Sequence, residues 1–243
     1  MKQLRLVFAA FTLIWAASCN FTEEIYFEDD GSGKLSISFD GSALMAMGGE
    51  EMAKEKAIDS TMSFRDLLIE KKDSIAQLPI EEQEKLKKLE PFNLHMVMNP
   101  ETKEMNFDMY SEFKNISEMN DAFNTFQSAG TLDQKEGNNS LPMMGNSATK
   151  VEYTYKKRKF SRRARILDKA LHQQALDSMA SAEMVLSSSN YTLKYHFPKR
   201  VKSASLEGAT ISADGKTMTY TVNFLEAIKD PTKLNVEVEL ERR

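Results

Sequence analysis

The chain has little of what chemically active sites are usually built from. Its 243 residues include one cysteine, three histidines and one tryptophan. A single thiol excludes both a disulfide framework and a dithiol redox centre. The histidines, His95, His172 and His196, fall in separate segments without HxH, HxxE or HExxH spacing, so none belongs to a short chelating motif. No GxSxG nucleophile elbow occurs. Gly31-Ser32-Gly33 lacks the third glycine, the lysine and the following helix of a phosphate loop, and reads as a β-turn. Positive charge is not in excess: 32 Lys and Arg against 36 Asp and Glu give a net charge of -4, which argues against general nucleic-acid binding. The carboxylate pairs Glu23-Glu24, Asp29-Asp30, Glu50-Glu51 and Glu81-Glu82 are sequence neighbours and read as solvated surface. These absences favour a chain that binds rather than catalyses, with no cofactor and no metal.

What is present begins at the N-terminus. Met1-Lys2-Gln3-Leu4-Arg5 carries two positive charges, and an apolar run follows from Leu6 to Ala17, interrupted by Thr12. Small residues Ala16, Ala17 and Ser18 lead into Cys19. This is the order of a secretory signal, too short in its apolar part to span a bilayer stably. A cysteine directly at the cleavage boundary makes it a lipoprotein signal, residues 1–18, with Cys19 as the lipid attachment site. One acyl chain holds only marginally, at about 0.8 kcal/mol per buried CH₂, whereas two or three hold permanently. With Cys19 acylated no thiol remains. No later apolar run is long enough for a transmembrane helix.

From residue 19 onward the pattern is α+β: an antiparallel β-sheet built from hairpins, with amphipathic helices packed on it. Ile25-Tyr26-Phe27, the turn Asp29–Gly33 and the alternation Leu35, Ile37, Phe39 make a first hairpin. Helical patterns run over 42–56, 63–75 and 81–89, the last bounded by Pro79 and Pro91. Phe92, Leu94, Met96 and Met98, then Met105, Phe107 and Met109, alternate as a strand pair, and Ile116, Met119, Phe123 and Phe126 mark an amphipathic helix. Residues 129–148 read as a flexible loop. The chain is therefore either one domain over 19–243 or two halves, 19–128 and 149–243. Val151, Tyr153 and Tyr155 form a strand, and a long helix is expected from Arg165 to Ser187. Tyr191–Phe197, a two-residue Asp214-Gly215 hairpin of the primed type and Leu234–Leu240 complete a β-rich end.

Two features remain. Lys156, Lys157, Arg158, Lys159, Arg162, Arg163 and Arg165 form a basic run in an acidic chain, suited to lipid headgroups, lipopolysaccharide phosphates or an acidic protein face. Fifteen methionines mostly take core positions as adaptable filler. Those between Leu44 and Met62 are candidates to line a lipid or peptide cleft.

The stretch Glu23–Asp40 behind a lipidated Cys, with Tyr195-His196-Phe197-Pro198-Lys199 and Ser212-Ala213-Asp214-Gly215-Lys216, resembles outer-membrane lipoproteins of Bacteroidetes-type bacteria. The hairpin also resembles the LppM lipoprotein domain, an α+β domain associated with lipid binding. The first resemblance implies an outer-membrane anchor. Glu23 and Glu24 are similar to the acidic surface-export signal of such lipoproteins, so the periplasmic and surface leaflets both stay open. Asp59-Ser60-Thr61, Asp73-Ser74-Ile75 and Asp177-Ser178-Met179 resemble the O-glycosylation acceptors of the same bacteria. Together these readings give a lipid-anchored envelope lipoprotein that binds a protein or envelope component near the membrane. The alternative is a carrier or sensor of a lipid or other hydrophobic ligand.

Overall fold

The computed structural model describes residues 19–47, 56–120, 148–180 and 183–242. Strand β1 (Asn20–Phe27) alternates cleanly, turning Phe21, Glu23, Ile25 and Phe27 inward. A tight turn returns the chain as β2 (Gly33–Asp40), antiparallel to it, with Ile25 opposite Leu35. Gly31 takes φ 89° in that turn. At Gly33 a Cβ would lie 1.9 Å from the Tyr26 carbonyl oxygen, so only glycine fits there.

β2 is followed across the sheet by β5 (Glu104–Phe113), β4 (Asn93–Asn99) and β3 (Ile58–Ser63), all antiparallel. On its other side β1 pairs in parallel with β8 (Asn190–His196), which carries β11 (Thr217–Asn223) and the two-residue β10 (Thr210–Ile211). The eight-stranded order is β10-β11-β8-β1-β2-β5-β4-β3. This sheet takes strands from both 19–128 and 149–243, joined at β1–β8. Apart from Ala148, the loop expected at 129–148 lies outside the described residues.

A four-stranded sheet, β6-β7-β12-β9, consists of β6 (Thr149–Lys156), β7 (Lys159–Ile166), β12 (Val236–Leu240) and β9 (Val201–Ala204). It packs on the inward face of β8 and β1. Phe27 meets Phe160 at 5.2 Å and Tyr155 at 4.7 Å, and Phe160 meets Tyr195 edge-on at 4.9 Å. Phe21 stacks between Phe39 and Phe224 at 4.6 and 4.3 Å. Such aromatic pairs contribute about 0.5–1.5 kcal/mol each beyond their buried area.

Short helices cover the sheet ends: α1 (Ser42–Met47), α2 (Phe64–Glu70), α3 (Lys72–Ile75) and α4 (Ile80–Lys87), then α5 (Lys169–Ser178), α6 (Glu183–Leu186) and α7 (Phe224–Lys229). The expected helix 63–75 is broken at Lys71. Of the helix expected after Ile116, the described part is a single 3₁₀ turn, Ile116–Met119.

Two expectations are corrected. The long helix from Arg165 does not form. Residues 159–166 are a strand, and the helix starts only after Asp168, whose carboxylate accepts from the Ala170 and Leu171 N–H groups at 2.9 and 3.0 Å. β7 was hidden because its inward row, Phe160, Arg162 and Ala164, contains an arginine. The Asp214-Gly215 turn is not a primed two-residue loop either. Gly215 N–H donates to Ser212 O at 2.8 Å, and of the two residues only Gly215 has positive φ. That is an ordinary turn closed by a left-handed glycine.

The β6–β7 turn is the opposite case. Lys157 and Arg158 adopt φ 48° and 70°, the primed geometry without a glycine. Left-handed backbone costs a side-chain-bearing residue about 1–2 kcal/mol. Lys157→Gly should therefore stabilise the fold by about 1 kcal/mol, measured as a higher urea midpoint at unchanged slope.

Candidate functional site

Cys19 immediately precedes β1. Its carbonyl accepts from Asn190 N–H at 3.3 Å, and its side chain is buried in the core cluster. A bulky thioether cannot share that position, so acylation requires the side chain to turn out at the foot of β1. The first strand begins one residue after Cys19.

Glu23 is not solvated surface. It lies fully buried on the inward row of β1, facing Arg162 on β7. Arg162 Nε donates to both carboxylate oxygens at 3.1 and 3.0 Å, and its Nη2 lies 3.0 Å from Oε2. Tyr195 and Tyr191 hydroxyls donate to the same carboxylate at 2.6 and 3.2 Å, while Arg162 Nη1 donates to the Leu234 carbonyl at 3.3 Å. The buried Tyr153 hydroxyl lies in the same nest, with no partner at good hydrogen-bond geometry among the described residues. Burial, then the Glu23 charge, pushes the Tyr153, Tyr191 and Tyr195 phenols above their usual range. Burial opposes the Arg162 charge, but Glu23 holds it on and raises its pKa. Arg162 is thereby removed from the anionic-contact set, because a fully desolvated guanidinium already in a fork with a carboxylate cannot meet a surface. The signal was in the sequence. Phe21-x-Glu23-x-Ile25-x-Phe27 and Phe160-x-Arg162-x-Ala164 are inward rows interrupted by complementary charges.

Glu24, one residue on, points to the outward face of the large sheet. Its Oε1 accepts from Tyr26 OH at 2.9 Å and lies 2.8 Å from both Lys194 Nζ and His196 Nε2. His196 Nδ1 lies 3.0 Å from Thr217 Oγ1, and its ring stacks on Tyr26 at 4.0 Å. Partial burial raises the Glu24 pKa, but the Lys194, His196 and Tyr26 hydrogen bonds outweigh it, so its carboxyl sits below the usual range. The hydroxyl–imidazole–carboxylate line has the order of a proton relay. Lys194 already compensates the carboxylate charge, and the surrounding N–H groups belong to the β1–β8 and β8–β11 ladders. His95 pairs with Asp59 at 2.9 Å on the same outward face, whereas His172 is on α5 with Nε2 3.3 Å from the Lys229 carbonyl oxygen. Among the described residues no three His, Cys, Asp or Glu converge as metal ligands.

The other basic residues separate. Arg163 pairs with Glu237, and Arg165 lies 3.8 Å from Glu152, both on the outward face of the small sheet. Lys156, Lys157, Arg158 and Lys159 form the tip of the β6–β7 hairpin, and Arg158 Nη1 donates to the Leu240 carbonyl at 3.2 Å.

The methionines form a sheet face. Met62, Leu94, Met96, Met98 and Phe107 are half-buried on the inward side of β3–β5, beside buried Met105 and Met109. Of the expected cleft residues, Met45 is buried in α1 and Met62 joins this row, while Met52 lies outside the described residues. A separate open hollow of about 310 Å³ lies among α2, α3 and α4, lined by Leu68, Ile75, Ile80, Gln83, Glu84, Leu86 and Lys87. Among the described residues no helix is long and apolar enough to cross a membrane.

No protein-family model and no curated protein matches the chain. Among solved structures, the fold is similar to the NMR structure of the folded domain of LppM from Mycobacterium tuberculosis. The identity is 7% and the TM-score 0.43, over 92% of this chain and 89% of that one. This is a faint likeness of architecture.

Two predictions follow from the buried nest. Glu23→Leu or Arg162→Met should each cost about 3–5 kcal/mol, because each leaves a buried charge unpaired. The double replacement Glu23→Leu with Arg162→Met should cost less than either single change, read by denaturant unfolding as a double-mutant cycle. The three phenols have folded pKa values above the unfolded value of about 10. Their contribution is therefore complete below pH 10 and declines as pH rises toward the folded values. Stability should fall by about 1.4 kcal/mol per pH unit for each tyrosine above pH 10, and Tyr195→Phe should remove about a third of that three-tyrosine slope.

Proposed function

We propose that this chain is a bacterial envelope lipoprotein, anchored through Cys19 in the outer membrane, whose α+β body binds a protein or envelope component non-covalently. The observation that carries the reading is the position of the lipobox cysteine one residue before β1, a central strand of the large sheet. A lipid on Cys19 tethers the whole body without a spacer. Binding rather than catalysis is supported by the hydroxyl–imidazole–carboxylate line found among the described residues: Lys194 compensates its carboxylate, and the neighbouring N–H groups are engaged in sheet ladders.

A second reading, a carrier or sensor of a hydrophobic ligand, is favoured by the half-buried Met62, Met96, Met98, Leu94 and Phe107 face. Flexible thioethers repack around apolar guests of differing shape. The leaflet is either periplasmic or external. Glu23 has a structural role opposite Arg162 that explains a carboxylate at this position without an export signal.

Cys19→Ala should abolish metabolic labelling by a palmitate analogue and release the protein from membranes; persistent label would overturn the anchor. Native mass spectrometry of the detergent-extracted chain separates the two modes of action. Co-purified lipid that is lost in Met96→Ser with Met98→Ser supports the carrier, and its absence supports partner binding.

A further inference from the structure

The parallel and antiparallel registers give the molecule two distinct ends. Cys19, the start of β8 and the end of β2 lie at one. The β6–β7 tip lies at the other, where Tyr155 packs on Phe27, the last residue of β1, and sits 3.7 Å from where a Cβ on Gly31 in the first turn would lie. β1 has eight residues, which at about 3.3 Å each puts the tip about 25 Å from the anchored end along the strand direction. The Debye length at physiological ionic strength is about 8 Å. If Cys19 is the anchor, as proposed above, the headgroups and lipopolysaccharide phosphates at that end are too far away to engage the tip when the strands stand off the membrane.

The tip is nevertheless the densest charge in the chain. Lys156 and Lys157 are exposed and make no ion pair among the described residues, in contrast to Arg163 and Lys202 on the same sheet, while exposed Lys159 lies opposite Glu239, which Lys202 already pairs. They are also held in place. Arg158 O accepts from Leu240 N–H at 2.9 Å, Arg200 O from Glu241 N–H at 2.9 Å, and Gly215 O from Val201 N–H at 2.8 Å, tying the tip to two neighbouring loops. Those loops add Arg200 and Lys216, with exposed Arg242 following Glu241. The acids nearby include Asp30, hydrogen-bonded by Ser32, Asp214, hydrogen-bonded by Ser212 and Lys216 N–H, and Asp29 beside Tyr155. Lys157 and Arg158 hold left-handed backbone that glycine would adopt without strain, so the turn keeps cations at a cost in stability.

We propose that this end of the molecule docks an acidic segment of a partner protein, with Lys156, Lys157 and Lys159 as the contacting charges. Charge complementarity selects an anion, and the distance from Cys19 selects one that is not part of the anchoring bilayer. Lysine suits carboxylates on a flexible segment, since it acts as a mobile point charge rather than a fixed fork.

The test uses the lipidated chain in phosphatidylcholine nanodiscs and a fluorescein-labelled Glu-rich peptide as probe. Lys156→Gln with Lys157→Gln and Lys159→Gln should weaken binding about tenfold at physiological salt, whereas Arg163→Gln with Lys202→Gln should change it less than about twofold. A dye on Lys157→Cys, the only free thiol once Cys19 is acylated, should stay beyond about 20 Å of the bilayer. Equal losses in the two variants, or no loss, would overturn the proposal. So would movement of the dye onto the bilayer in phosphatidylglycerol nanodiscs, which would make the tip a membrane contact. Failure of the chain to enter nanodiscs would instead sink the Cys19 anchor, while the same titration in solution would still decide whether the tip binds the acidic peptide.

Discussion

The two sheets are held in one relative position by a charge that neither can expose. Glu23 and Arg162 meet in the interior between β1 and β7, and Tyr191, Tyr195 and the Leu234 carbonyl add hydrogen bonds to the pair. Such a pair adds little net stability over a well-packed apolar equivalent, because desolvation of both ions offsets their attraction. What it supplies here is discrimination. A one-residue slip of either strand would turn a charge outward and strand its partner inside. The aromatic packing of Phe27, Phe160 and Tyr195 around it tolerates small shifts; the ion pair does not.

That constraint explains why the molecule is polarised along β1. The strand begins beside Cys19 and ends under the β6–β7 tip, so fixing the sheets against each other also fixes Cys19 and the lysine-rich turn at opposite ends. Between them the large sheet has a polar outward face, carrying Glu24, Lys194 and His196. Its inward face is covered by the small sheet at β8 and β1, and carries methionines at β3–β5. These surfaces differ in chemistry because alternation sends each row to one side only.

The hairpins were legible because alternation and turn chemistry agreed. Asp29–Gly33 lies between two alternating strands, and the Leu94–Met98 and Met105–Met109 rows have no helical period. Reading failed where a charge occupied an inward position. Arg162 broke the apolar row of β7, so the segment looked like a basic lead-in to a helix, and Glu23 looked like half of a surface pair. Local pattern treats a charge as a mark of solvent, and only a complementary charge on a distant strand reverses that. β3 is harder to read for a different reason: Ile58–Ser63 is an edge strand whose first four residues are exposed, with little apolar alternation.

Legible in the residues alone were the α+β class, most hairpins and the place of Cys19 before the first strand, since these rest on residues close together in the chain. Tertiary structure alone decided which charges are inside, which cations stay free and which end of the body the basic turn occupies. The first and the last of these depend on residues more than a hundred positions apart, Glu23 with Arg162 and Phe27 with Tyr155, brought together by the parallel pairing of β1 with β8 and by the docking of the second sheet.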